Sequence, residues 1–220
     1  MSLFNMRKKT MFIGISVVAV ILLVAVCGLV YVGCARDNTP APASVANRPS
    51  GKILTVVYSE SKTKSTLTVA KWIQGYVGGD LAEIQPVTPY PESYAKVILV
   101  AKKELDSQTW PEIQPLPFDA SEYDVIFVGT PVWFGTAAPP LRRFLADAKL
   151  AGKTVVPFCT HGGGGAGRTF AAVKIACPES TVLPGLALRG PNIIQRKMGR
   201  GSEVLSSAAH VAEWLESLKW

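Results

Sequence analysis

The segment KILTVVYSESKTKST, residues 52–66, decides the fold of this chain. It opens with a β-branched apolar run at 53–59, which is typical of a buried strand. Hydroxyl-rich residues follow from Ser61 to Thr66, and a helical pattern begins at Thr66. A strand, a short polar loop and a helix in this order predict the first βα unit of a parallel sheet.

The same alternation of strand and helix patterns continues to the end of the chain. We expect strands at 53–59, 81–86, 125–130, 154–160 and 182–188. We expect helices at 66–77, 93–105, 140–148, 168–177 and 202–218. Right-handed crossovers would place these helices on both faces of the sheet. The predicted fold class is therefore α/β, a three-layer α/β/α sandwich around a five-stranded parallel sheet.

A hydrophobic segment precedes this domain. Residues 11–33 contain no charged side chain, and as a helix they would span about 34 Å, enough to cross a hydrocarbon core of about 30 Å. Arg7, Lys8 and Lys9 stand directly before the segment, and positive residues favour the cytoplasmic side. We therefore expect residues 1–34 to be a membrane anchor or signal segment that places the domain on the extracytoplasmic side.

Three fates of this segment stay open: an uncleaved signal anchor, a cleaved secretory signal and a lipoprotein signal. Val32, Gly33 and Cys34 resemble the end of a bacterial lipobox, whose cysteine becomes lipidated, although Tyr31 stands where leucine is preferred. Residues 35–51 are rich in Pro, Ala, Ser and Asn, which predicts a linker. The domain is then expected at 52–220.

The charge of the chain is concentrated near its start. Residues 1–50 carry five basic side chains and one acidic one, so they hold +4 of the formal charge of +7. The domain is left with only +3, which does not indicate the basic face typical of nucleic-acid binding. We therefore expect no nucleic-acid partner.

The loop after the first strand is the first of three candidate ligand loops, because ligands bind outside the carboxyl ends of the strands in open α/β sheets. It contains Ser61, Thr63, Lys64, Ser65 and Thr66 and leads directly into a helix. Free amides and hydroxyl groups at a helix N-terminus suit a phosphate group. An ordinary helix cap in a hydroxyl-rich loop is the alternative.

The other two loops follow the third and fourth predicted strands. Pro131, Trp133, Phe134 and Gly135 form an aromatic loop that either stacks on a flat ligand or packs into the core. After the fourth strand, glycine backbone can approach a ligand closely, unless the loop is merely flexible; its residues are Thr160, His161, Gly162, Gly163 and Gly164. Joint occurrence of all three loops favours a single ligand site.

These segments resemble the flavodoxin family. The stretch 61–66 is similar to its phosphate loop, S-x-T-G-N-T, and the resemblance includes VTPYPESY at 87–94, SEYDVIFVGTPVWFGT at 121–136 and PFCTHGGGGAG at 157–167. It implies a flavodoxin-like fold with FMN as the cofactor. By this resemblance the phosphate would be held by Ser61, Thr63, Ser65 and Thr66. Trp133 and Phe134 would lie beside the isoalloxazine ring, and residues 160–164 would line its pyrimidine edge.

Two residues depart from the family pattern. Lys64 replaces a glycine, which would cost about 1 kcal/mol if that position requires a positive φ, and Ser65 replaces an asparagine. A binding or structural module without flavin, on the same fold, is therefore the competing function. If FMN binds, both an electron carrier with a redox partner and a reductase with a small-molecule acceptor fit the sequence.

Cys159 and His161 could also suggest a thiol nucleophile with its base, but no third orienting residue accompanies them. We expect Cys159 and Cys177 to be unbridged. The helix between them would cover about 15 Å and run back along the strand, whereas bridged Cα atoms lie less than about 7 Å apart.

Overall fold

The computed structural model describes residues 45–61, 63–190 and 208–220. The predicted anchor at 1–34 and the first part of the linker lie outside the described residues, as do Lys62 and residues 191–207. Within the described ranges, none of the helices is both long and apolar enough to cross a membrane.

Seven strands and five helices form the described domain. The strands are β1 Ile53–Val57, β2 Asp80–Glu83, β3 Val125–Trp133, β4 Thr136–Ala137, β5 Thr154–His161, β6 Thr181–Val182 and β7 Leu186–Arg189. The helices are α1 Ser65–Val77, α2 Tyr94–Ser107, α3 Pro139–Asp147, α4 Thr169–Ala176 and α5 Ala208–Ser217, and a short 3-10 helix spans Ala120–Glu122.

The sheet runs in the order β2-β1-β3-β5, with β6 and β7 sharing the position beyond β5. All of these strands are parallel, and only β4 pairs antiparallel, with β3. The predicted α/β class is confirmed. Strand order changes direction between β1 and β3, and this switch point is where parallel sheets open a crevice for ligands.

Two apolar layers cover the sheet because strand side chains alternate between its faces. On β1, Leu54 and Val56 join the cluster under α2, α3 and α4, whereas Ile53 and Val57 join the cluster under α1 and α5. All four side chains are buried. Near-continuous apolar strands are typical of a parallel sheet that has helices on both faces, so this pattern explains the three layers.

The last predicted strand, 182–188, is two strands in the structure. β6 pairs with the start of β5, and β7 pairs with its end, from Phe158↔Leu186 to His161↔Arg189. Between them Pro184 has no amide hydrogen for the ladder, and its carbonyl accepts from Trp214 Nε1 at 3.0 Å. The gap lies beside Pro157 of β5, which also lacks an amide hydrogen.

Residues 45–47 contact the C-terminal helix and the residues after it, although their composition favours a linker. Val45 is buried in the cluster under α1 and α5. The Asn47 side-chain amide donates to the carbonyls of Leu215, Glu216 and Leu218 at 3.2, 3.1 and 2.7 Å. The Glu216 carboxylate accepts from the amides of Ala46 and Asn47. Within the described residues, the packing of the domain therefore includes Val45, seven residues before Lys52.

Candidate functional site

The loop between β1 and α1 gathers hydroxyl groups in front of a helix. Ser61 Oγ lies 3.0 Å from Thr63 Oγ1, which lies 3.0 Å from Ser65 Oγ. The amide of Lys64 donates to the Ser61 carbonyl at 2.8 Å and closes the turn. The first turn of α1 contains no acidic residue. Hydroxyl donors at a helix N-terminus without a competing carboxylate fit a phosphate group.

Thr66 connects this loop to β5. Its hydroxyl lies 2.8 Å from that of Thr160, and both side chains are buried. The hydroxyls of this loop all have protein partners, but Ser61 and Thr63 are half-buried whereas Ser65 and Thr66 are buried. Of the four residues that the resemblance assigns to the phosphate, Ser61 and Thr63 are the more accessible pair.

Lys64 lies in the left-handed region, with φ 47° and ψ 35°. The position that the resemblance assigns to glycine thus has a positive φ, and a side chain there costs about 1 kcal/mol. Lys64 Nζ donates to the carbonyl of Ser59 at 2.7 Å and to Glu83 Oε1 at 2.6 Å. Its ammonium is bound by groups of the protein itself.

The third-strand loop is a tight hairpin between β3 and β4. Phe134 and Gly135 form its turn with φ 49° and 71°. Two successive positive φ values are those of a type I′ turn, which glycine adopts freely and phenylalanine does not. The Phe134 side chain is 47% exposed. A flat ring is therefore presented to solvent from a strained backbone position.

Trp133, the residue before Phe134, points into the core instead. Its ring meets those of Tyr58 and Tyr90 edge to face, with centroids 5.7 and 5.1 Å apart. The sequence was equally consistent with core packing and with ligand stacking for both aromatic residues. In the structure the two residues differ, because Trp133 packs inward and Phe134 is exposed. Trp133 is half-buried, so part of its ring remains available to a ligand.

The two tyrosines were not among the sequence-predicted site residues. Tyr58 Oη donates to Glu60 Oε2 at 2.7 Å, and Tyr90 Oη donates to Glu104 Oε2 at 2.5 Å. Burial, followed by these carboxylates, raises the pKa of both phenols above the usual range. Burial also raises the pKa of Glu104, although its bond to Tyr90 opposes the shift. The phenols stay protonated and hold the aromatic group in place.

His161 organises the glycine loop. Its Nδ1 atom accepts from the amides of Gly163 and Gly165, each at 3.1 Å. Burial and the nearby Arg189 lower the pKa of the imidazole, which favours the neutral ring that can accept at Nδ1. One of the backbone donors predicted to face a ligand, the amide of Gly163, therefore binds His161, as does the amide of Gly165, while Gly162 and Gly164 are exposed.

Direct contacts join the aromatic hairpin to the glycine loop. The amide of Arg168 donates to the Gly135 carbonyl at 2.7 Å. Gly167, with φ 54°, lies so close that a Cβ atom there would meet the same carbonyl at 2.3 Å. Pro131 lies opposite Thr160 in the pairing of β3 with β5. The three loops therefore form one continuous edge.

Cys159 does not have the properties of a nucleophile. It is fully buried in β5, and burial raises its pKa to about 12, so its thiolate is scarce at neutral pH. Cys177 is also buried, and burial raises its pKa to about 11. Both thiols are free.

A cavity of about 430 Å³ lies at the amino-terminal edge of the sheet, beside Gly51, Asp124, Lys153 and Trp220. These residues precede or flank the starts of β1, β3 and β5, or end the chain. The cavity is thus at the edge opposite the three loops. Contacts among the loops, not cavity size, define the candidate site.

Fold, strand order and the three joined loops together define a flavodoxin-like α/β domain. The sequence model of a family described as flavodoxin matches residues 52–199. The chain therefore belongs to the flavodoxin family. A comparison with curated proteins found no match.

Solved structures agree with this assignment. One described as a flavoprotein from Bacteroides eggerthii DSM 20697 is 27% identical, with a TM-score of 0.62 over 76% of this chain and 97% of the other. Another, from Bacteroides uniformis ATCC 8492, is 26% identical, with a TM-score of 0.61 over 77% and 100%. A flavoprotein in complex with FMN from Lactobacillus acidophilus NCFM shares the fold at 23% identity, with a TM-score of 0.54 over 70% and 100%.

Replacement of Gly167 tests the contact between hairpin and glycine loop. Gly167→Ala should lower the free energy of unfolding by about 1 kcal/mol for its positive φ and by about 1–3 kcal/mol more for the clash with Gly135. Gly165→Ala is the matched control, because Gly165 has φ 72° and open space around it. Urea denaturation measures both. Equal losses in the two variants would contradict the close contact.

The acceptor role of His161 predicts a pH dependence. Folding lowers the pKa of His161 below the unfolded value of about 6.5. Between the two pKa values the unfolded chain therefore binds more protons than the folded one. Stability from this residue is present above about pH 6.5 and is lost as the pH falls through the folded pKa. Between about pH 8 and about pH 5, wild type should lose more unfolding free energy than His161→Gln. Parallel curves would exclude this role.

Proposed function

We propose that this chain binds FMN and transfers electrons. The observation that carries the proposal is the contact of three loops along one sheet edge, through the Thr66–Thr160 hydroxyl pair and the packing of Gly167 on Gly135. Hydroxyls at a helix N-terminus suit the phosphate, and an exposed aromatic ring suits a flat ligand. The FMN complex of a protein with the same fold supports this choice of ligand.

In this proposal each loop has its own task. Ser61, Thr63 and Ser65 donate to the phosphate, and Phe134 with the open side of Trp133 covers the ring. Thr160 and the exposed glycine backbone at 162–164 contact its polar edge. When bound, FMN accepts or gives one or two electrons, so the protein needs no nucleophile.

The acceptor of these electrons is a protein partner or a small molecule. Phe134 stands 47% exposed on the hairpin, so a ring lying against it would stay close to the protein surface. An exposed redox group can serve either acceptor, and both an electron carrier and a reductase remain within the proposal.

A module without flavin is the second candidate, and two sets of hydrogen bonds favour it. Lys64 Nζ is bound by Ser59 and Glu83, and the amides of Gly163 and Gly165 are bound by His161. Donors that a ligand could use are thus satisfied within the protein.

Flavin binding distinguishes the two candidates. The full chain, purified in detergent and reconstituted, should bind FMN about tenfold or more tightly than riboflavin, because a phosphate accepts charge-assisted hydrogen bonds. It should also bind FMN in preference to FAD, since the loop suits a terminal phosphate. Absorbance and fluorescence quenching give the dissociation constants. A protein that retains none of the three flavins would support the second candidate.

The variant Phe134→Gly distinguishes the cost of backbone strain at this position from the contribution of the ring to FMN binding. Glycine relieves the positive φ, so the unliganded protein should gain about 1 kcal/mol of unfolding free energy. Loss of the ring should weaken FMN binding by about 0.5–1.5 kcal/mol. Gln108→Gly is the control, because Gln108 has a similar φ of 53° at the end of α2. It should gain stability and keep its affinity. Unchanged FMN binding by Phe134→Gly would remove Phe134 from the site.

We also propose that the N-terminal segment holds the domain at the extracytoplasmic face of a membrane, on the strength of the uncharged run at 11–33 and the basic residues before it. The full chain should then fractionate with membranes and be cleaved by externally added protease. Palmitate labelling that is lost in Cys34→Ser would select the lipoprotein form. Protection of the domain from external protease would contradict the proposed orientation.

A further inference from the structure

Lys64 connects the phosphate loop to two strands. It stands directly before α1, yet its ammonium reaches the Ser59 carbonyl just beyond β1 and the Glu83 carboxylate at the end of β2. Glu83 lies opposite Val57 in the pairing of these strands. One side chain thus fastens the loop to the carboxyl ends of β1 and β2.

The backbone of Lys64 also makes hydrogen bonds that close the loop. Its amide donates to the Ser61 carbonyl at 2.8 Å, and its carbonyl accepts from the amide of Thr68 at 2.9 Å and from the Thr68 hydroxyl at 3.2 Å. Ser61, Thr63 and Ser65, whose hydroxyls form a chain, surround it in sequence. The backbone conformation that aligns these hydroxyls is therefore fixed at Lys64.

The charge of Lys64 is neutralised where it lies. Glu83 is the carboxylate paired with it, and that side chain is only 23% exposed. The neighbouring Glu60 accepts from Tyr58 instead. Because the ammonium of Lys64 is already paired with Glu83, we expect Lys64 to affect phosphate binding mainly by holding the loop in place.

We propose that Lys64 is a positioning residue, which presets the hydroxyl loop through Glu83 and Ser59 rather than by contacting the phosphate. The inference rests on the proposed FMN binding. Glycine would supply the positive φ without strain, but it could not form either side-chain contact. Lysine is strained at this positive φ, but its side-chain contacts order the loop before the ligand arrives. This lowers the entropic cost of ordering the loop on binding.

Glu83→Gln should change the FMN affinity in opposite directions for a positioning role of Lys64 and for direct contact with the phosphate. If Lys64 positions the loop, Glu83→Gln and Lys64→Met should each weaken FMN binding about two- to fivefold, as expected for one ion pair. The double variant should be no weaker than the worse single variant, because both changes break the same contact. If the ammonium instead binds phosphate, Glu83→Gln should release it and tighten FMN binding, which would overturn the proposal.

Hydrogen exchange of the unliganded full chain provides a second readout. Amides at 61–66 should exchange faster in Lys64→Met and Glu83→Gln than in wild type. Lys102→Met and Asp106→Asn are matched controls, because they break an exposed ion pair of equal N–O length on α2. They should leave both exchange at 61–66 and FMN affinity unchanged. Unchanged exchange in the Lys64 and Glu83 variants would overturn the proposal.

The two proposals fail differently. If wild type binds no flavin while exchange rises in both variants, the FMN function is wrong and the positioning of the loop still holds. If wild type binds FMN and the variants match it in both affinity and exchange, the function stands and the role of Lys64 is wrong.

Discussion

The hydrogen bond between the hydroxyls of Thr66 and Thr160 is the interaction on which the candidate site depends. It joins the first turn of α1 to the end of β5, although the residues are 94 positions apart. Both hydroxyls are buried, where an unpaired polar group would be costly, so each requires the other. This pairing holds the loop before α1 beside the loop after β5. The aromatic hairpin then completes the edge through Gly135, Gly167 and Arg168.

Backbone strain is concentrated at this edge. Three non-glycine residues of the described chain have a positive φ, and two of them, Lys64 and Phe134, belong to candidate ligand loops. Such conformations persist only where surrounding contacts hold them, and they are common at ligand sites. Lys64 is held by Ser59 and Glu83, and Phe134 by the β3–β4 hairpin. The third, Gln108, ends a helix, where this conformation is ordinary.

Trp133 of the aromatic hairpin is held in a group of three rings. Tyr58, Tyr90 and Trp133 come from the end of β1, the loop before α2 and the end of β3, and they meet edge to face. Glu60 accepts a hydrogen bond from Tyr58 and Glu104 accepts one from Tyr90, so each phenol is held by its own carboxylate. Because three segments and two carboxylates hold this group together, Trp133 is ordered before any ligand arrives, which lowers the ordering cost of a ligand that contacts it.

The sequence by itself determined the α/β class, four of the five strand positions and the three loops, because burial on both faces and the βα alternation leave periodic signals along the chain. It also marked position 64 as unusual. Only the tertiary structure decided which side chains meet: Thr66 with Thr160, Lys64 with Glu83, His161 with its own glycine loop, and Trp133 inward while Phe134 faces out. It also decided the break at Pro184, which lies beside Pro157 of β5. Periodicity is local, whereas these partners are set by strand register and sheet order, which bring together residues that the chain keeps far apart.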